Sequence, residues 1–120
     1  MHLNRDDLIE IHRKMIERYG GAHGMLSEGT LDFAITRAQR GKGFVDEAAT
    51  LLEIIAKEHP FVDGNKRTAF ASAEATLMLS GYYIAASDED AIDFILSVAR
   101  RELAHDQVVK WIKDRLKGHI

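Results

Sequence analysis

The chain has 120 residues and a mass of 13.5 kDa, enough for one compact core and too little for two ordinary domains. With 46% hydrophobic and 29% charged residues its composition is globular, and no run approaches the ~20 apolar residues of a membrane span. Its formal charge of -3, from 16 basic and 19 acidic side chains mixed along the chain, gives no global pull toward nucleic acid or a membrane surface.

Asn4, with Asp6 and Asp7 behind it, reads as a helix start, and Leu8, Ile11, Met15 and Tyr19 recur at helical spacing until Gly20-Gly21 ends the run. The opening MHLNRDDLIEIHRK mixes acids and bases. It lacks the basic, apolar, small-residue succession of a secretory signal, so the expected location is the cytoplasm. The next stretch, GGAHGMLSEG over 20–29, is glycine-rich without an apolar period and predicts a surface loop, the kind of segment that often carries function.

From Thr30 to Arg40 a short stripe of Leu31, Ala34, Ile35 and Ala38 predicts a second helix, ended by GKG at 41–43. A third has Asp46 and Glu47 in its first turn and Ala48, Leu51, Leu52, Ile55 and Ala56 on its buried face. Pro60 disfavours helical geometry at the residue before it, which ends that helix near His59. The alanine-rich segment from Asn65 to Ser80, with Ala69, Ala73 and Leu77 on one face and Phe70 beside them, predicts the central helix.

Gly81 ends it, and YYIAA reads as short and extended or irregular. Ser87 followed by acids opens a fifth helix with Ile92, Ile95, Leu96 and Ala99 as its buried face. A last helix carries Val108, Trp111, Ile112 and Arg115, with Lys113, Arg115 and Lys117 near its C-terminal end, where cations suit the dipole. The expected fold is all-α: residues 1–120 as one compact domain, about six helices around a central helix starting near Asn65. The absence of cysteine removes disulfides and thiolate chemistry and is compatible with a reducing compartment.

The polar run HPFVDGNKRTAF over 59–70 interrupts this pattern. Gly64 and Asn65 stand where the central helix begins, so backbone N–H groups there have no partner within the helix. Acids usually complement such an end, yet Lys66 and Arg67 occupy the first turn, against the macrodipole by about 0.3–1 kcal/mol each. A phosphate chain would supply the missing negative charge. Asp63 is then placed to hold a Mg²⁺ ion bridging phosphate oxygens, and His59, a residue type that titrates near neutral pH, to take a proton from an attacking hydroxyl.

Each residue alone has a plainer use. Asp63 or Asn65 can cap the helix, His59 can satisfy the carbonyls ending the preceding one, and Lys66 and Arg67 can be solvated charges. Their concurrence within nine residues, beside a proline that fixes the backbone of the histidine, favours a phosphoryl- or nucleotidyl-transfer site. No Walker-type phosphate loop, H-E-x-x-H, G-x-S-x-G or kinase glycine loop competes. Among the other histidines, His12 lies on the apolar face of helix one and reads as a partly buried, hydrogen-bonded residue. His2, His105 and His119 read as surface residues, and His23 lies in the glycine-rich loop.

His59, Pro60, Phe61, Asp63, Gly64 and Asn65 resemble the Fic-domain signature, and Lys66-Arg67-Thr68-Ala69 resembles its death-on-curing (Doc) branch. RYGGAHGM at 18–25 and EGTLDFAITRAQ at 28–39 are similar to that branch as well, so the likeness covers most of the chain. The resemblance implies a helical Fic fold in which His59 is the catalytic base, Asp63 binds Mg²⁺, and Gly64, Asn65, Lys66 and Arg67 hold the phosphates of ATP as co-substrate, with Arg67 also counted as catalytic. Fic enzymes that transfer AMP usually have Gly where Lys66 stands and a second Arg where Phe70 stands.

Those two departures disfavour the AMP-transferring pose and present the γ-phosphate instead. The resemblance therefore implies a Doc-like toxin of a toxin–antitoxin pair that phosphorylates a threonine of an elongation factor Tu-like protein and halts translation, with AMP transfer as the alternative. The self-inhibiting signature [ST]-x-x-x-E-[GN] is absent: the only Glu-Gly, Glu28-Gly29, has Gly24 four residues before the Glu. Restraint then falls to an antitoxin whose tail folds into a groove.

A non-catalytic member that binds nucleotide or antitoxin is a second reading, disfavoured by retention of His59, Asp63, Asn65 and Arg67 together. A helical DNA-binding protein is a third, disfavoured by the acidic balance. The expected state is a monomer or a weak dimer, with no nucleic-acid or membrane partner.

Overall fold

The computed structural model describes residues 1–118; His119 lies outside them. α1 (Arg5–Tyr19) begins with the Asn4 side chain accepting from the Asp7 N–H while the Asp7 carboxylate accepts from the Asn4 N–H. This reciprocal box satisfies two of the N–H groups that a helix start leaves unpaired. Its buried stripe is Leu8, His12 and Ile16, with Ile11 and Met15 half-buried and Tyr19 exposed. The stripe is thus turned from the predicted Leu8-Ile11-Met15-Tyr19, because His12 and Ile16 pack on the polar loop at 60–64 whereas Met15 and Tyr19 face an open cleft.

α2 (Glu28–Gln39) starts two residues earlier than predicted, since the Ser27 side chain accepts from the Thr30 N–H and caps it. α3 (Phe44–Glu58) is buried along most of its length through Val45, Ala48, Ala49, Leu51, Leu52, Ile55 and Ala56. It packs against α4 (Asn65–Leu79), whose Ala69 and Ala73 lack the bulk to hold the two helices apart. α4 is the central helix, as expected, with neighbours α1, α3 and α5.

α5 (Asp88–Ala99) is capped by Ser87 but buries Phe94, Ile95 and Val98, while Ile92, predicted inside, is 56% exposed. The stack of Phe94 on Trp111, with ring centroids 3.8 Å apart and planes 2° from parallel, sets this rotation and turns Ile92 toward the cleft. α6 (His105–Asp114) buries Val108 and Ile112. Arg115 ends it, with Nε 2.7 Å from Asp90 Oδ2 and the guanidinium 4.1 Å above the Trp111 ring.

One small sheet adds to the helical expectation. β1 (Tyr82–Ile84) pairs antiparallel with β2 (Leu116–Gly118), Tyr82 opposite Gly118 and Ile84 opposite Leu116. The extended character of YYI was legible, but its partner was not, because Lys117 reads as a cation suited to a helix end. No helix among the described residues is long and apolar enough to cross a membrane.

Candidate active site

The polar run folds into a corner between α3 and α4. α3 stops at Glu58 because Pro60 closes the helical region to the residue before it, and His59 takes left-handed values, φ 50 and ψ 63. A non-glycine residue there costs roughly 1–2 kcal/mol, and the result is an exposed imidazole at the head of the corner. Phe61, 1% exposed, turns inward and stacks on the His12 ring at 3.8 Å with planes 3° apart.

Asn65 closes the turn. Its Oδ1 accepts from the Phe61 N–H at 3.0 Å and its Nδ2 donates to the Phe61 carbonyl at 2.9 Å. Both ends of the carboxamide are therefore engaged in the turn, and the main-chain N–H, at the first position of α4, is a group Asn65 can offer to an anion. His12 Nε2 donates to the Asp63 carbonyl at 2.8 Å; a carbonyl only accepts, so this bond selects the tautomer protonated at Nε2.

The Asp63 carboxylate accepts from the Ala22 N–H through Oδ2 at 3.1 Å and from the Gly64 N–H through Oδ1 at 2.8 Å. These two bonds hold its pKa below the usual carboxylate range. A Cβ on Gly21, at φ +115, would stand 2.7 Å from Asp63 Oδ2, so glycine is what lets the loop approach. Gly64, at φ +73, holds left-handed values that favour glycine, and a Cβ there would meet the tip of the Ile16 side chain, Cδ1, at 2.9 Å.

Gly64 is the N-cap of α4, and no side chain caps this end or places an acid in its first turn. The Thr68 N–H bonds the Gly64 carbonyl, so the N–H groups of Asn65, Lys66 and Arg67 precede the helical ladder. Lys66 and Arg67 are exposed, and among the described residues neither belongs to an ion pair. Arg67 instead lies with Cζ 4.6 Å from the centroid of the Tyr19 ring.

This end of α4 opens into a cleft of about 690 Å³ whose walls are the C-terminal half of α1, the face of α4 bearing Phe70 and Glu74, and the face of α5 bearing Ile92 and Leu96. The glycine-rich loop runs beside the corner: the Val62 N–H donates to the Gly24 carbonyl at 3.0 Å, the Leu26 N–H to the Pro60 carbonyl at 2.7 Å, and Met25 lies opposite Phe61. Leu26 and Val62 are 69% and 50% exposed there.

Asp63, Gly64, Asn65, Lys66 and Arg67 thus line the cleft at one helix end, while His59 caps the end of α3 at the head of the same corner and is not among the cleft-lining residues. His23, in the loop, is exposed. His2 and His105, read as surface residues, do lie at the surface, but each faces carboxylates of α3. His12, Tyr19 and the Ala22 N–H are parts of the site that the sequence does not mark. The one available signal was a histidine on an apolar stripe, which must find a partner, although the stripe does not say which.

The donor chemistry suits one divalent ion. No group of three or more histidines and carboxylates capable of holding a metal occurs among the described residues. Asp63 by itself supplies one anionic ligand and leaves the remaining positions to water and phosphate oxygens, the mixture Mg²⁺ favours.

The corner, the uncapped helix start and the loop beside it all fall within residues 2–77, which match the model of the Fic/DOC family. The chain belongs to this family. The matched segment carries α1 to α3, α4 as far as Leu77 and every Fic/DOC residue discussed above, while α5 and α6 lie beyond it. Protein kinase doc of Escherichia phage P1 is 33% identical over 123 residues, covering 98% of this chain and 96% of that protein. Toxin Doc of Mycolicibacterium smegmatis (strain ATCC 700084 / mc(2)155) is 38% identical over 99 residues, covering 75% and 76%.

Proposed function

We propose that this Fic/DOC protein is a Doc-like toxin that transfers the γ-phosphate of Mg-ATP to a Ser or Thr hydroxyl of a target protein, elongation factor Tu-like, and so inhibits translation. The observation that carries the reading is the uncapped start of α4, where Lys66 and Arg67 belong to no ion pair among the described residues, six residues after an exposed histidine that ends α3. Free N–H groups of Asn65, Lys66 and Arg67 with the ammonium and guanidinium make a cradle for phosphate oxygens. Asp63, held ionised by Ala22 and Gly64, is the ligand for Mg²⁺. When bound, that ion neutralises phosphate charge as the phosphoryl group moves.

His59 takes the proton from the attacking hydroxyl, and its strained left-handed backbone holds the ring outward, where a protein segment has access. The segment has a place to lie along the loop at 22–27, beside Leu26 and Val62. Phe70 stands in the cleft, its ring in a T-shaped contact with Trp111, so no guanidinium at that position is present to hold distal phosphates in the AMP-transferring orientation. This favours the phosphate over AMP, as does the likeness to Protein kinase doc of the phage. The open cleft between α1, α4 and α5, together with the toxin relative, supports restraint by a cognate antitoxin.

Incubation of a translating lysate with this protein, Mg²⁺ and ATP, followed by intact-protein mass spectrometry of its elongation factor, tests the reading. A gain of one phosphate, lost with His59→Ala, is expected. A gain of one AMP would replace the kinase reading, and no gain with either protein would remove this target.

A further inference from the structure

We propose that His12 is a positioning residue that aims the Asp63 carboxylate at its divalent ion. The inference rests on the reading of Asp63 as the metal ligand and adds the device that sets it. His12 is 4% exposed, between Leu8 and Ile16 on the buried stripe of α1, where a leucine or phenylalanine would pack without the cost of burying a polar ring. Its use of polarity is specific: Nε2 donates to the Asp63 carbonyl at 2.8 Å while the ring face stacks on Phe61.

The Asp63 carbonyl and the Gly64 N–H belong to one planar peptide unit. Holding the carbonyl toward His12 fixes the plane, and the plane sets the direction of the Gly64 N–H, which grips Asp63 Oδ1 at 2.8 Å. The other oxygen, Oδ2, is held by the Ala22 N–H at 3.1 Å, from the loop that continues α1. One helix therefore controls both oxygens, one through a side chain and a peptide plane, the other through its own loop. Because Gly64 is glycine, with no Cβ to resist rotation, the 63–64 peptide is free to turn over once the His12 donor is lost. Partners of a metal ligand that act at this remove typically change affinity by 10–100-fold.

Two variants separate donor from ring. His12→Phe keeps a flat ring on Phe61 and removes the donor; His12→Gln keeps an N–H donor and removes the ring. The probe is Mn²⁺, titrated by calorimetry in the presence of the non-hydrolysable β,γ-methylene analogue of ATP, alongside amide hydrogen exchange at Ala22 and Gly64 by NMR without metal. His12→Phe is expected to weaken Mn²⁺ binding about tenfold and to speed exchange at both amides, and His12→Gln to recover most of the affinity despite losing the stack. If His12→Phe melts lower yet binds Mn²⁺ and exchanges like wild type, His12 is a packing residue and the inference is overturned. If wild type itself binds no Mn²⁺, the metal reading of Asp63 falls and the inference with it.

Discussion

The Asn65 carboxamide holds the main chain of Phe61 at both polar groups, N–H and carbonyl, at 3.0 and 2.9 Å, in a site where Asn65 is 8% exposed. Truncation to Asn65→Ala would leave two buried backbone groups unpaired, at about 1–3 kcal/mol each. For a domain of this size that lowers Tm by roughly 10 °C or more. Thermal unfolding without nucleotide is the measurement. An unchanged Tm with lost nucleotide affinity would move the side chain from the turn into the phosphate site.

Gly20 and Gly21 make a matched pair of tests. Both have positive φ, +85 and +115, so alanine at either is strained by about 1–3 kcal/mol. A Cβ at Gly20 meets nothing within 4 Å, whereas one at Gly21 stands 2.7 Å from Asp63 Oδ2. Gly20→Ala and Gly21→Ala should therefore melt at similarly lowered temperatures, but only Gly21→Ala should lose transfer activity, by about tenfold, with a raised Mg²⁺ requirement. Equal activity in the two variants would mean that the approach of the loop to Asp63 is not needed.

How much of this was legible follows from what each signal reports. Pro60, the αL glycine at 64 and the cations at 66 and 67 act through local backbone rules, so the corner between α3 and α4 is readable from a dozen residues. Helix positions follow from caps, and Asn4 and Ser87 place theirs correctly; Ser27 was hidden inside a loop reading. Which face is buried is a tertiary matter: Ile92 turned outward because Phe94 found Trp111, a partner whose ring stack no periodicity announces. The contributions of α1 and the loop after it, His12 and the Ala22 N–H, are separated from Asp63 by 51 and 41 residues, beyond the reach of any local pattern.

Glu74 lies half-buried on the cleft face of α4, and burial raises its pKa above 4.5. An acid with a raised folded pKa binds its proton more tightly when folded. At neutral pH the ionised group therefore costs stability, and the cost disappears as pH falls below about 4.5. Glu74→Gln is expected to raise Tm at pH 7 and to lose that gain near pH 4. A gain that persists unchanged at pH 4 would mean that packing, not charge, is responsible.

His105 is the first residue of α6, where the helix dipole disfavours a cation, yet both its ring nitrogens face carboxylates of α3, Nδ1 toward Glu53 and Nε2 toward Asp46. An ionised carboxylate only accepts, so the ring meets both at once only as an imidazolium with two N–H donors. Burial pulls its pKa down, but Glu53 and Asp46 outweigh burial and the net shift is upward from 6.5. Stability from this contact is therefore complete below about pH 6.5 and is lost as pH rises through the raised folded value. Asp46, held low by the His105 ring and the Lys42 N–H, gives the acid limit: its share is present above about pH 3.8 and fades as pH falls through its lowered value. Lys57 also reaches Glu53, at 3.5 Å. With the His105 side chain 46% exposed, the contact is worth about 0.5–1 kcal/mol, so His105→Gln should melt ~2–5 °C below wild type at pH 5.5 and converge with it by pH 9. A gap of constant size across that series would show that the ring holds α6 to α3 by shape and not by charge.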